Sequence, residues 1–319
     1  MTLAETETLF GRMLDGEMPD DEIRDVLVTL ADRGETAAEI AGAVRAMRAR
    51  MKRISAPDNA IDVCGTGGDG QHSLNISTAV AIVVAACDVP VAKHGNRAAS
   101  SLAGAADTLE ALGLDLARAG ELAEKTLAEI GICFLFAQTH HPAMRHVMPI
   151  RKALGRRTIF NLLGPLANPA GVKRQLVGVA KPDLIPTYAE ALTMLDCERA
   201  MVVSGVEGLD ELSISGESKI ATIGFDLGHD NIAPEGVGLP RHPLSAIKGG
   251  DAAYNAAALR RLLEGETGAY RDAVLLNAAA ALIVAGEVDD GEDGVEEAAE
   301  AIDKGLAKAL LECWIEEVR

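Results

Sequence analysis

Aromatic residues are scarce in this 319-residue chain: one Trp, three Tyr and five Phe, 3% of the sequence. Interior volume must be filled by smaller side chains, and 32 Gly beside abundant Ala favour helices packed close on a sheet. The five cysteines (Cys64, Cys87, Cys133, Cys197, Cys313) are odd in number, scattered, and mostly inside apolar runs. That pattern argues against a disulfide framework or a thiolate metal site, and reads as free buried thiols in a reducing compartment. No apolar run reaches membrane-spanning length, and no basic then apolar leader follows Met1. A soluble, cytoplasmic protein is expected. Positive charge is also short. Thirty Lys and Arg against 48 Asp and Glu give −18, which disfavours nonspecific binding of the whole surface to nucleic acid or membrane.

One absence is local. Between Glu129 and Asp183 there is no acidic residue, yet Arg145, Arg151, Lys152, Arg156, Arg157, Lys173, Arg174 and Lys181 all fall there. A partner-facing basic patch would look the same. An anion pocket is favoured because the island also holds His140-His141-Pro142 and a loop, Asn161 to Pro169, with many turn formers.

At this length the chain can bury one large core, or a large and a small one. Residues 1–58 read as helical, with Thr2-x-x-Glu5 and Thr36-x-x-Glu39 as capping boxes and Ile23, Val26, Leu27 and Leu30 on one face. The Leu/Phe/Met face of residues 9–14 suggests either a partner helix or core packing. From Ile61 onward, strand candidates 61–64, 89–92, 132–136, 175–180 and 200–204 alternate with helical stretches. Those stretches are 78–87, 105–112, 118–129, 184–195, 252–264 and 270–285. Such alternation predicts an α/β fold with a mostly parallel sheet, beside a small N-terminal helical domain. The expected division is 1–58 and 59–319. Residues 206–250 read as an irregular or antiparallel appendage, the acidic stretch from Glu287 to Glu297 as a solvated loop, and Trp314 and Ile315 as docked on the core.

Three segments collect chemistry. Asp62-Val-Cys-Gly-Thr-Gly-Gly-Asp-Gly70 with Ser73-Leu-Asn-Ile-Ser-Thr78 is a glycine-rich turn from a buried strand to a buried helix. It is neither a Walker A loop nor a full dinucleotide fingerprint, but its N–H groups suit phosphate. Lys93-His-Gly-Asn-Arg97, running on to Ser100-Ser101, sets two cations and an imidazole at a strand's C-terminal end, where open α/β sheets bind ligands. Asp210-Glu211 places two carboxylates after another strand; a solvated acidic turn is the plain alternative, and Mg²⁺ beside substrate phosphates the functional one.

Together with His141-Pro-Ala-Met-Arg145, the run from Leu154 to Pro169 and Gly208-Leu-Asp-Glu211, these segments resemble the anthranilate phosphoribosyltransferase family. The resemblance runs from residue 5 to the C-terminal helices. It implies transfer of the phosphoribosyl group of phosphoribosyl pyrophosphate to anthranilate, in tryptophan biosynthesis. It implies that Gly65, Gly68, Asp69, Ser73, Asn75, Ile76, Ser77 and Thr78 hold phosphoribosyl pyrophosphate. Lys93, His94, Gly95, Asn96, Arg97, Ala98, Ala99, Ser100, Ser101 and Ala105 would share that role. Gly65, Asn96 and Arg151 would meet anthranilate, and Ser77, Asp210 and Glu211 would carry two Mg²⁺ ions. A homodimer through the small domains is implied, with about 142–165 packing into the small domain.

Leu102-Ala-Gly-Ala105 departs from the family, where many relatives have Lys and Ser-Gly-Ser; Tyr254 stands where Glu is common. Pyrophosphate binding is the property these changes touch. Two rival readings are a pyrimidine nucleoside phosphorylase-like enzyme and a non-catalytic relative that binds nucleic acid. Asn96 and the 154–169 run speak against the first, the −18 charge and the Asp210-Glu211 pair against the second. No proton transfer is assigned to His94, because an arylamine attacks as a neutral nucleophile.

Overall fold

A computed structural model describes residues 1–98 and 101–319. Of the residues named above, Ala99 and Ser100 lie outside the described residues. The chain opens with α1 (Leu3–Asp15), α2 (Asp20–Arg33) and α3 (Ala37–Arg48). Both capping boxes form: Thr2 and Thr36 accept the N–H of Glu5 and Glu39, whose carboxylates bond back to the threonine N–H groups. Phe10, Met13 and Leu14 are buried in the chain's own core with Ile40, Val44 and Met47, so this face is not offered to a partner helix. The same core takes in Val147, Ile150, Ile159 and Phe160, and Phe10 and Phe160 meet at a centroid distance of 5.6 Å.

The larger part begins with β1 (Ile61–Gly65), α4 (Ile76–Ala85), β2 (Val91–Gly95), α5 (Ala105–Leu112), α6 (Leu116–Glu121), α7 (Ala123–Ile130) and β3 (Ile132–Phe136). Three short helices follow, α8 (Ala137–His140), α9 (Met148–Leu154) and α10 (Phe160–Leu163). Next come β4 (Arg174–Gly178), α11 (Ile185–Met194), β5 (Arg199–Gly205), β6 (Ser218–Ile223) and β7 (Asn231–Ile232). Helices α12 (Ala252–Leu263), α13 (Ala269–Ala285), α14 (Gly291–Asp303) and α15 (Leu306–Glu317) complete it. The sheet order is β3-β2-β1-β4-β5-β6-β7, parallel from β3 to β5 and antiparallel at β6 and β7.

Chain order leaves β1 toward β2 and β3 on one side and toward β4 and β5 on the other. The C-terminal ends of β1 and β4 therefore flank the switch point where open α/β sheets form a crevice. Val63 and Leu176 pack on one sheet face, while Cys64 and Val177 pack on the other, as strand alternation requires. Trp314 and Ile315 of α15 are buried in the first of these cores.

Several elements differ from expectation. β2 lies two residues later than 89–92, so Lys93, His94 and Gly95 belong to the strand. The helix expected over 118–129 breaks at Leu122, after Gly120 in the last turn of α6 weakens it. The acidic stretch is not a loop throughout: Asp290 caps α14, whose Ala298, Ala301 and Ile302 are buried while Glu292, Asp293, Glu296 and Glu300 face water. Glu292 and Asp293 in its first turn suit the helix dipole. Cys313 is exposed and Cys87 and Cys197 are half-buried, so only Cys64 and Cys133 are buried thiols.

Candidate functional site

The crevice floor is set by two glycines. A Cβ on Gly65 would collide with the Asp210 carboxylate, and one on Gly178 with the Asp210 backbone carbonyl. The absence of side chains at the ends of β1 and β4 lets the segment after β5 lie directly across them. Asp210 Oδ2 accepts the Gly67 N–H at 2.6 Å, joining that segment to the glycine loop. Glu211 is buried beside it, and burial is the main reason both carboxyls titrate above their ordinary range. Asp69 adds to both shifts, and Lys93 opposes that of Glu211. Excess negative charge with little cationic compensation fits a hard dication, which takes one or two protein carboxylates plus phosphate and water oxygens. Among the described residues no three His, Cys, Asp or Glu side chains form a self-sufficient metal cage.

The loop itself uses positive φ at Gly67, Gly68 and Gly70 (69°, 70° and 76°), which only glycine adopts without strain. Arg157 donates to the carbonyls of Gly68 at 3.0 Å and Gly67 at 3.5 Å. Asp69 caps the Gln71 N–H at 3.2 Å, and Ser73 forms a β-bridge with Lys248. Asn75, at the N-cap of α4, is a structural hub. Its Oδ1 accepts from Thr108 Oγ1 at 2.5 Å and Asn255 Nδ2 at 2.8 Å, and Tyr270 donates to its carbonyl at 3.2 Å. Ile76 and Thr78 point into the core, which leaves Ser77 the half-buried side chain of this turn.

At the end of β2 the side chains divide. Lys93 is only 2% exposed; Nζ donates to Val63 O at 2.8 Å and Ser77 Oγ at 3.3 Å. It lies beneath the loop and braces the residue expected at the metal, rather than reaching into the crevice. His94 Nδ1 meets Gly164 O at 3.0 Å and its Nε2 faces His141 Nε2 at 3.3 Å, so both ring nitrogens are engaged. Burial and then His141 push His94 down to about 3; burial and then His140 push His141 down to about 4. Gly95 packs where a Cβ would strike the Phe134 ring. Asn96 is exposed, and its Oδ1 accepts the Arg97 N–H at 2.8 Å.

Arg97 turns away from the crevice. It pairs with Asp107 at 2.8 Å and with Glu110, and lies over the Phe136 ring at 5.6 Å. Asp107 also accepts the Ala98 and Gly104 N–H groups at 3.0 and 2.9 Å, cinching the neck of the loop before Ala105. Ser101 bonds locally to Ala103 O at 3.4 Å. Leu102 is 71% exposed, at the mouth of a small cavity lined by His72, Ser73, Gly249 and Asn255.

The basic island is not one pocket. Arg156 pairs with Asp32, Lys173 with Glu198, and Arg174 caps the end of α13 at Ala285 O. Arg151 is placed differently: its guanidinium lies 5.4 Å from the centre of Phe160, with Met148 Sδ at 3.6 Å and no carboxylate partner among the described residues. The 161–169 loop is a buried strut rather than a pocket wall. Its carbonyls are taken in turn by His94 (Gly164), Gln175 (Pro165, 2.7 Å) and Arg48 (Leu166, 2.9 Å). Sequence reading set Arg157 and His141 in the basic island and Asp62 and Asn168 within quoted motifs, but gave none of the four a role of its own in this assembly.

Comparison with known proteins agrees with this fold. Residues 57–308 match the glycosyl transferase family a/b domain, and residues 1–51 its helical bundle domain. Anthranilate phosphoribosyltransferase of Novosphingobium aromaticivorans is 66% identical over 98% of this chain and 95% of its own length. That of Sphingopyxis alaskensis is 67% identical over 96% and 92%. The Thermus thermophilus enzyme's crystal structure superposes with a TM-score of 0.93 at 45% identity, covering 100% of this chain and 96% of that one. The Saccharomyces cerevisiae enzyme, in complex with PRPP and Mg, gives 0.91 at 28% identity over 99% and 93%. With both parts of its fold matched and such identity along nearly its whole length, this chain belongs to the anthranilate phosphoribosyltransferase family.

Proposed function

We propose that this chain transfers the phosphoribosyl group of phosphoribosyl pyrophosphate to anthranilate, releasing pyrophosphate and N-(5-phosphoribosyl)anthranilate. The observation that carries this is Asp210-Glu211 seated on the glycine ends of β1 and β4, facing a glycine loop and a helix N-terminus across one crevice. The loop from Gly65 to Ser73 and the first turn of α4 offer N–H donors to phosphate. Asp210 and Glu211, with Ser77 beside them, would hold Mg²⁺, which when bound offsets charge developing on the departing pyrophosphate. Arg151, free of carboxylates, would take the anthranilate carboxylate, with Asn96 and Gly65 lining the same approach.

Attack by the neutral amine at ribose C1, with inversion, needs orientation more than a strong base. His94 fits that picture as an orienting group, since both its ring nitrogens already have partners. In this reading residues 1–58 form the small helical domain and 59–319 the phosphoribosyl pyrophosphate domain, with about 142–165 packed on the former. The core shared by Phe10 and Phe160 supports that packing of 142–165. A homodimer and two Mg²⁺ ions follow the family resemblance, and cytoplasmic residence the composition; sedimentation and metal titration test the first two. No helix of the described residues is long and apolar enough to cross a membrane.

Anthranilate fluorescence, followed with phosphoribosyl pyrophosphate, should decay only when Mg²⁺ is present. A folded protein that leaves the signal unchanged under both conditions refutes the assignment.

A further inference from the structure

Asp62 is a fully enclosed acidic group that the proposed reaction does not use. It lies inside β1 at 0% exposure; among the described residues no Lys or Arg hydrogen-bonds it, and Lys93 acts on it only through space. Oδ1 accepts the His94 backbone N–H at 3.1 Å. Oδ2 accepts Asn168 Nδ2 at 2.8 Å and the Cys64 thiol at 3.5 Å. Asn168 Nδ2 also reaches Ala92 O at 2.8 Å. One carboxylate thereby ties the end of β2, which runs into Gly95 and Asn96, to the strut that continues from α9 and α10 and Arg151. Burying a carboxylate is costly unless donors compensate it. Only the ionised form accepts from all three donors without turning a proton on one of them.

We propose that Asp62 is a positioning residue that fixes the β2 end and the 164–168 strut relative to each other, and so the two substrate subsites they lead to. The tie stands on its own geometry; its catalytic consequence rests on the transferase reading above. The D62N amide can offer an acceptor to His94 or to Asn168, but not to both, and sets a donor against the other. Q175M is the matched control, because Gln175 is equally buried and bonds the same strut at Pro165 O without touching β2.

The experiment is hydrogen exchange by mass spectrometry on the full-length variants, with steady-state kinetics alongside. D62N should speed exchange in both the 91–97 and 164–170 segments and lower kcat roughly ten- to a hundredfold, as a misplaced reacting pair does. Q175M should speed exchange in 164–170 alone and keep kcat within about threefold. A folded D62N with kcat within about threefold, or with exchange altered in one segment only, overturns the proposal. So does an equal loss of kcat in Q175M. Should D62N fail to fold, N168A cuts the same tie and must still loosen 91–97; unchanged exchange there is equally fatal. A wild type silent in the transferase assay, with the exchange coupling present, would refute the transferase reading and leave the tie intact.

Discussion

Glu211→Gln should make the metal-free protein more stable while abolishing its Mg²⁺-dependent turnover. Glu211 is buried beside Asp210, and desolvation first, then the Asp210 charge, raise its carboxyl from 4.5 to about 8. Because the folded value lies above the unfolded one, the protonated side chain contributes stability that is complete below pH 4.5 and is lost as pH rises through about 8. At high pH the ionised pair is both desolvated and mutually repelled, which costs the metal-free fold stability. Part of that repulsion belongs to Asp210 and relaxes into the crevice, which leaves on the order of 2 kcal/mol to be recovered by neutralising one partner. For a chain of this length that is about 3 °C in Tm. Thermal melts in chelator at pH 8.5 and pH 5 are the assay: E211Q should melt higher at pH 8.5, and the gap should close at pH 5. In parallel, its Mg²⁺-dependent turnover should vanish. A variant that melts lower than wild type at pH 8.5, or a gap that does not change with pH, refutes the reasoning.

Arg151→Ala should raise the anthranilate KM roughly ten- to a hundredfold, the worth of a charge-assisted hydrogen bond, with little change in the KM for phosphoribosyl pyrophosphate; equal changes in both would count against the carboxylate role. Gly178→Ala forces a Cβ into Asp210 O and should lower stability by about 2 kcal/mol or more while weakening Mg²⁺ activation, as melts and metal titration would report. His94 and His141, held at about 3 and about 4 by burial, should stay neutral from pH 6 upward. Ring-nitrogen NMR checks this: a titration near 6.5 that disappears on replacing either residue would contradict it.

The local grammar of the fold was legible because it is written in short-range patterns. Capping boxes at Thr2 and Thr36, the apolar run of α4 and the strand at 132–136 all depend on neighbours a few residues away. The α14 helix was misread because its acidic surface outweighed a sparse apolar stripe that has meaning only against a core already in place. The glycine loop and the Asp210-Glu211 pair stood out for the same local reason: uncommon residue types grouped at the ends of recognisable strands.

What the sequence determined by itself was therefore which residue types were present for phosphate and metal chemistry, and which elements would carry them. Tertiary structure decided which of those residues face the crevice. Arg97 and Lys93 are both cations at one strand end, yet Asp107 and Glu110 draw the first outward and Val63 O with Ser77 hold the second beneath the loop. Gly65 and Gly178 became a floor only when Asp210, far along the chain from either, was laid across them. A side chain chooses between competing partners by distance and burial in the folded state, and neither quantity exists along the chain until the sheet has formed.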